Sequence, residues 1–183
     1  MPGVGPMPKT FNVAEGFKFK PSAGGVSGVK IEHRIGVNAP AEIIWESIHD
    51  VGDWPKWAAI YPKADGVVRI GSALALTLAI PGEAHRQIRP MVLDWVPNDQ
   101  LHLRQSMFGG LLHSIRYLEI EKLGEENCIF SNGELFQGFL SGLISGQRAR
   151  NLRRGFTQLG EALKERAEAA WREQTAAPTS SGT

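Results

Sequence analysis

The stretch from Phe139 to Trp171 constrains the fold more than any other part of the chain. With Ile144 set at zero on a wheel of about 100° per residue, Leu140, Leu152, Gly155, Leu159 and Leu163 share one face, with Phe156 at its edge. Arg150, Arg153, Arg154 and Glu161 lie opposite. The last turns, Lys164 to Glu168, mix charges as a solvent-facing helix end does. The spacing predicts one long amphipathic helix that must bury its stripe against another surface. Gln147, Arg148 and Asn151 interrupt the stripe within about 60° of its centre, so polar groups are expected to face a cavity there.

The surface is supplied upstream. Val29 to Val37 alternates with period two and reads as a first strand. Asn38 to Glu42 starts a helix: Asn38 or Ala39 is suited to cap it, Pro40 fits the first turn, and Ile43, Ile44, Ser47 and Ile48 recur helically until His49-Asp50. Residues 52–62, with Pro55, Pro62, Trp54, Trp57 and Tyr61, predict a short second helix. Beyond it, turn signals separate strands expected over 64–69, 72–80, 83–96, 101–107, 112–122 and 128–136. Pro90 interrupts the fourth of the seven strands and predicts a bulge. The fold class is therefore α+β: a seven-stranded antiparallel curved sheet wrapped around a long C-terminal helix, with two short helices between strands one and two. Residues 1–28, rich in Gly, Pro and Ser with only Phe11, Phe17 and Phe19 as apolar anchors, are expected to form a flexible extension. The folded domain is expected over 29–172 and a disordered tail over 173–183.

Charge and cysteine content narrow the function classes. Lys and Arg number 20 against 19 Asp and Glu, so the net charge of +1 gives no global field to favour nucleic acid or an acidic membrane. Cys128 is the only cysteine, which excludes an intramolecular disulfide, and no Cys/His cluster has metal-ligand spacing. No metal and no cofactor are expected. There is no signal-peptide pattern and no run of about 18 apolar residues, so a cytoplasmic protein without stable membrane insertion is expected. Monomer and homodimer are both left open.

Several motifs in combination resemble one large superfamily. They are Ile35-x-Val37-x-Ala39-Pro40-Ala41-Glu42-x-x-Trp45 leading to Asp50, Trp54-Pro55-x-Trp57, Val92-x-Asp94-x-x-Pro97-x-x-x-Leu101, Phe136-x-Gly138-x-Leu140, and Arg154-Gly155-Phe156 followed by Leu163-Lys164. The chain over about 29–170 resembles the SRPBCC or START-like superfamily of polyketide cyclases, lipid carriers, birch-pollen-allergen-like proteins and aromatic-ring hydroxylase domains, bacterial members in particular. The resemblance implies the helix-grip fold, with a ligand cavity between sheet and helix. It does not select an activity, because carriers, receptors, enzymes and chaperone-like proteins share that scaffold.

Alternation names the inward side chains. In the strand over 112–122, Leu112, Ser114, Arg116, Leu118 and Ile120 share a face; in the next, Cys128, Phe130, Asn132, Glu134 and Phe136 do. A hairpin centred on Glu125 sets Arg116 opposite Glu134, and a slip of two residues sets it opposite Asn132. Such a pair has three open roles: a structural buried ion pair, contact with a polar ligand group, or proton transfer by Glu134. His33, on the apolar face with Ile31 and Ile35, is either a core histidine or a cavity group and ranks third as a catalytic candidate. Arg148 and Asn151 either close the polar end of the cavity or, for Arg148, snorkel to solvent. Trp57 and Tyr61 form a rim or cap the core, and Trp95, with Met91 and Leu93, reads as inner-face packing, as does Phe130. Together with Ile144 and Ser114, these residues make up the expected ligand-binding wall.

The expected function is binding of a small hydrophobic ligand, lipid-like, polyketide-like or aromatic, anchored by Arg116 and Glu134. The alternative is a cofactor-independent cyclase or dehydratase in which Glu134 or a histidine moves a proton. A third reading is an assembly factor that binds a partner through the Phe-bearing arm.

Overall fold

A computed structural model describes residues 28–176. In chain order they form β1 (Val29–Val37), α1 (Ala41–His49), β2 (Lys63–Asp65), β3 (Ala75–Leu78), β4 (Arg86–Ile88), β5 (Met91–Val96), β6 (Gln100–Met107), β7 (Leu112–Lys122), β8 (Cys128–Gln137) and α2 (Gly146–Ala176). The extension expected N-terminal to Gly28, and residues 177–183 of the expected tail, lie outside the described residues.

Five strands make an antiparallel sheet in the order β1-β8-β7-β6-β5, and β2-β3-β4 make a second sheet. The strand over 83–96 expected from the sequence is two strands, one in each sheet, so the count rises from seven to eight. Pro90 is the break between them: without an N–H it cannot continue a ladder, yet its carbonyl accepts from Leu74 N at 2.9 Å. Val92 N donates to Ser72 O and Gly71 N to Val92 O, both at 2.8 Å, so the two sheets stay stitched at this corner. The register irregularity falls later, between Val92 and Asp94. It leaves Val92 buried and Trp95 half-buried, while Met91 and Leu93 are exposed. The expectation that Met91 and Leu93 pack inward is thereby corrected.

In α1 the apolar spacing buries Ile43, Ile44 and Ile48, with Pro40 at the N-cap. Asn38, expected as a possible cap, reaches α2 instead: its backbone N–H and Nδ2 donate to Glu168 Oε1 at 2.8 and 3.0 Å. The second short helix is a 3-10 turn, Val51–Lys56, closed by Trp54 Nε1 donating to Ile48 O at 3.1 Å. Trp95 stacks on Trp45 of α1, with ring centroids 6.1 Å apart.

The long helix starts later than the wheel suggests. Residues 139–145 form a 3-10 turn, Ser141–Leu143, and its flanks, and Ile144 is buried ahead of the helix. From Gly146 the expected stripe holds: Leu152, Gly155, Phe156, Leu159 and Leu163 are buried, whereas Arg150, Arg153, Arg154 and Glu161 are exposed. The helix also runs to Ala176, so residues 173–176, expected in the tail, are helical. Its second half is fastened to β1 and α1: Lys164 Nζ donates to Gly36 O at 2.7 Å, and Arg166 bonds Ser47 Oγ at 3.1 Å and pairs with Asp53. Its first half lies beside the small sheet, where a Cβ on Gly155 would meet Ile80, Ile60 and Pro81. Sheet, small sheet and helix therefore enclose one space.

Candidate functional site

The β7–β8 hairpin has the register read from its turn. Arg116 faces Glu134 as a cross-strand partner, and both side chains are buried. They do not form an ion pair. The guanidinium spends four hydrogen bonds elsewhere: Nε to Tyr61 Oη at 3.2 Å, one Nη to the carbonyls of Tyr117 and Gly133 at 3.1 and 2.8 Å, and the other to Asn132 Oδ1 at 3.1 Å. Its carbon centre stacks 4.2 Å from the Phe156 ring centroid. Asn132 in turn donates to Phe156 O at 3.1 Å, tying α2 to the sheet. Arg116 is thus a committed strut between the two layers, and the expected buried ion pair is corrected to a charge neighbour of Glu134.

Glu134 has the Ser114 hydroxyl as a hydrogen-bond partner but no ion pair, and it lies beside a small internal cavity of about 20 Å³. Burial pushes its pKa above the usual carboxylate range, while the Ser114 hydroxyl and the charges of Arg116, Arg86 and Arg148 pull the other way. The apolar wall comprises Leu76, Leu78, Ile80, Ile88, Leu103, Leu152 and Phe156, with Pro90 at the corner. The polar groups on it are Tyr61, Arg86, Gln105, Ser114, Arg116 and Glu134. Since Tyr61 Oη accepts from Arg116, its own O–H is oriented away from the guanidinium. The wall therefore offers a phenol donor and a carboxyl that, when protonated, also donates. A carbonyl or hydroxyl on an otherwise apolar molecule matches that pair.

The volume sets a limit. About 20 Å³ admits roughly one water, whereas bound organic ligands occupy on the order of 300 Å³ or more. In this conformation the space is nearly filled by leucine, isoleucine and phenylalanine side chains, so binding requires a wall to move.

Several residues expected at the wall lie elsewhere. His33 packs on α2, where a Cβ on Gly160 would sit 2.5 Å from its Nδ1, and burial lowers its pKa against the pull of Glu161. Asn151 is buried beside Gly82 and accepts from Gln147 Nε2 at 2.7 Å. Arg148 is half-buried, its charge acting on Glu134 without reaching the lining. Asn132, Ile144, Trp57, Trp95 and Phe130 also stand behind or away from the lining. Ser114, Tyr61, Arg116 and Glu134 are the expected residues that the fold brings together. Missed were Arg86, Gln105 and the leucines and isoleucines of β3 and β4. Their facing was unreadable because the Pro90 break changes sheet, although Gln105 pairs with Ser114 in β6–β7 and was reachable from that register.

On the outer face of the large sheet lies an open groove of about 730 Å³, lined by Arg34, Asp99, Glu119, Lys122 and neighbours. Beneath it His102 Nε2 and Glu119 Oε1 lie 2.8 Å apart, both buried. Its cations are engaged, Arg34 with Glu121 at 2.6 Å and Lys122 with Glu42 at 3.0 Å. Burial and the nearby Glu119 raise the Asp99 pKa. Among the described residues no cluster of His, Cys, Asp and Glu is arranged to hold a metal ion, and no helix is long and apolar enough to cross a membrane.

A family model described as polyketide cyclase / dehydrase and lipid transport matches residues 28–168. No curated protein matches the sequence. Among solved structures, the chain is similar to the di-domain ARO/CYC StfQ from the steffimycin biosynthetic pathway, at 14% identity and a TM-score of 0.59, covering 81% of this chain and 52% of that one. The chain thus spans about half of that di-domain protein. A norcoclaurine synthase from Thalictrum flavum, a point mutant bound to a transition-state analogue, is similar at 14% identity and a TM-score of 0.58, covering 80% and 98%. A START superfamily protein from Mycobacterium smegmatis is similar at 16% identity and a TM-score of 0.55, covering 82% and 99%. At these identities the likeness is one of fold.

Proposed function

Because the chain belongs to the polyketide cyclase / dehydrase and lipid transport family, we propose that it binds a small, mainly apolar molecule bearing a carbonyl or hydroxyl between the sheets and α2. The observation that carries this reading is the buried carboxyl of Glu134 on an apolar wall, hydrogen-bonded to Ser114 but not ion-paired, beside an arginine whose hydrogen bonds are already satisfied elsewhere. Burying a carboxyl with one hydroxyl partner and no ion pair is costly. The acceptor sites that Ser114 does not fill are left for a guest. Tyr61 O–H is the second anchor, and the leucines of β3 and β6 with Phe156 supply the apolar contact. A cytoplasmic location accords with this reading, with Cys128 as a buried thiol.

The raised pKa of Glu134 favours a second reading, a cofactor-independent cyclase or dehydratase. A carboxyl that keeps its proton closer to neutrality can protonate a ligand carbonyl and later take a proton back. The two readings part on one variant. Native mass spectrometry of the fresh protein, followed by extraction, is expected to reveal a stoichiometric apolar passenger; its absence, with no thermal stabilisation by aromatic polyketides or fatty acyl compounds, refutes the binding reading. With a passenger identified, Glu134→Gln shifts affinity in a carrier and abolishes turnover in an enzyme. If it changes neither, the site is misassigned.

A further inference from the structure

Two loops meet at the end of the molecule where α2 begins. Leu140 N donates to Leu111 O at 3.2 Å, and a Cβ on Gly138 would lie 2.5 Å from that same oxygen, so the β6–β7 turn and the approach to α2 are held back to back. Their large apolar side chains nevertheless face solvent: Phe139 is 88% exposed, Leu143 59%, Phe108 57% and Leu111 52%. Phe108 and Phe139 are the exposed phenylalanines of the described residues. Phe108 also has φ of 53°, a region bulky side chains avoid, so the backbone carries strain where that ring is displayed.

The charge around these loops is segregated, which a net charge of +1 conceals. Residues 100–118 and 135–160 contain no Asp or Glu, yet Arg104, Arg148, Arg150, Arg153 and Arg154 lie there. All five are exposed or half-exposed. The next acid on α2, Glu161, is about 22 Å along the helix from its start, at about 1.5 Å per residue. The β3–β4 turn brings Glu83 to this end together with His85 and Arg86.

Aromatic and aliphatic side chains on loop tips, beside arginines, match the boundary between lipid headgroups and acyl chains. Rings and leucines embed there while guanidinium groups meet phosphates. The four apolar residues line none of the cavities described above, so they present tips to a yielding surface rather than a groove to a shaped partner. We propose that this end is a peripheral docking surface for an anionic phospholipid membrane. Gln105 and Ser114, at the cavity, are paired three residues in from Phe108 and Leu111, which sets the docked end beside the cavity. The assignment does not depend on the cavity holding a ligand.

Co-sedimentation of the full chain with vesicles tests it. Binding to phosphatidylcholine vesicles containing one third phosphatidylglycerol is expected to be at least tenfold tighter than to phosphatidylcholine alone, and to weaken with salt. Phe139→Ser with Leu143→Ser is expected to lower binding tenfold or more, and Arg150→Glu with Arg153→Glu to remove the preference for phosphatidylglycerol. These positions are exposed, and circular dichroism confirms the fold of each variant. Glu134→Gln, which alters only the cavity, is expected to bind vesicles like the wild type; loss there would tie binding to the cavity and overturn the assignment. Equally fatal are no binding to phosphatidylglycerol vesicles, binding that ignores the Phe139 and Leu143 changes, or a dimer that those changes dissociate in a chain indifferent to vesicles.

Discussion

Glu134 and Arg116 illustrate how far side-chain facing can be read from a hairpin. Their opposition follows from the turn at Gly124-Glu125-Glu126 and strict alternation, both local properties. What Arg116 does with its donors is not local, since Tyr61 lies 55 positions away and Phe156 is on another element. The consequence for Glu134 is testable. Burial raises its pKa in the folded state above the usual carboxyl value of 4.5. The folded protein therefore holds that proton more tightly than the unfolded chain. The associated stability is fully present below the unfolded value and is lost as pH rises through the elevated folded one. Glutamine cannot ionise, so Glu134→Gln is expected to match the wild type in acid and to become more stable than it as pH rises, by about 1–3 kcal/mol at the plateau. Thermal melts of both proteins from pH 4 to 9 check this; parallel curves would mean the carboxyl is not desolvated.

Contacts between elements set the next scale, and two glycines show what packing demands. Gly160 on α2 and His33 on β1 share one space, with 2.5 Å between a would-be Cβ and Nδ1. Gly160→Ala is expected to destabilise by about 1–3 kcal/mol through overpacking. In a His33→Ala background the same change is expected to stabilise by up to about 1 kcal/mol, because alanine is the better helix former. A sign reversal across this double-mutant cycle identifies the steric pair; equal effects in both backgrounds would dismiss it. Gly133 is more rigidly constrained. It faces Tyr117 across β7–β8, and a Cβ would lie 2.2 Å from the phenol oxygen and 2.6 Å from Ile31 O, a backbone atom. Tyr117 is fixed by donating to Glu32 at 2.7 Å. Gly133→Ala is therefore expected to cost about 1–3 kcal/mol or more in chemical denaturation, and Tyr117→Phe to relieve little of it because the Ile31 contact remains. At this scale β1, β7 and β8 were legible in the sequence because alternation and paired turns agree. The small sheet was not: its strands are three or four residues long, too short for a period to declare itself, and Pro90 conceals a change of sheet. The start of α2 was misplaced because Leu140 and Ile144 satisfy the helical stripe while flanking a 3-10 turn on either side.

At the scale of the whole molecule, the helix-grip scaffold was legible because one long stripe and one run of paired strands leave few ways to bury both. The cavity was not, since its volume depends on side-chain packing and not on any pattern along the chain. Its two sides differ in how they are held. α2 is pinned by Lys164, Arg166 and Asn132 to β1, α1 and β8. β3 and β4, which carry Leu76, Leu78, Arg86 and Ile88 of the wall, belong to a three-stranded sheet whose strands are only three or four residues long. If a guest enters a space that now holds about 20 Å³, the wall with the fewest cooperative bonds is the one to yield, since local opening follows local stability. Amides of Leu76, Thr77 and Gln87 are accordingly expected to exchange with solvent at least tenfold faster than those of Leu118, Glu119 and Phe130, and to slow when a ligand is bound. Hydrogen-exchange mass spectrometry resolves these segments. Uniform protection across both sheets would mean that the interior is a closed core, and the binding reading would then fail on mechanical grounds before any ligand is tried.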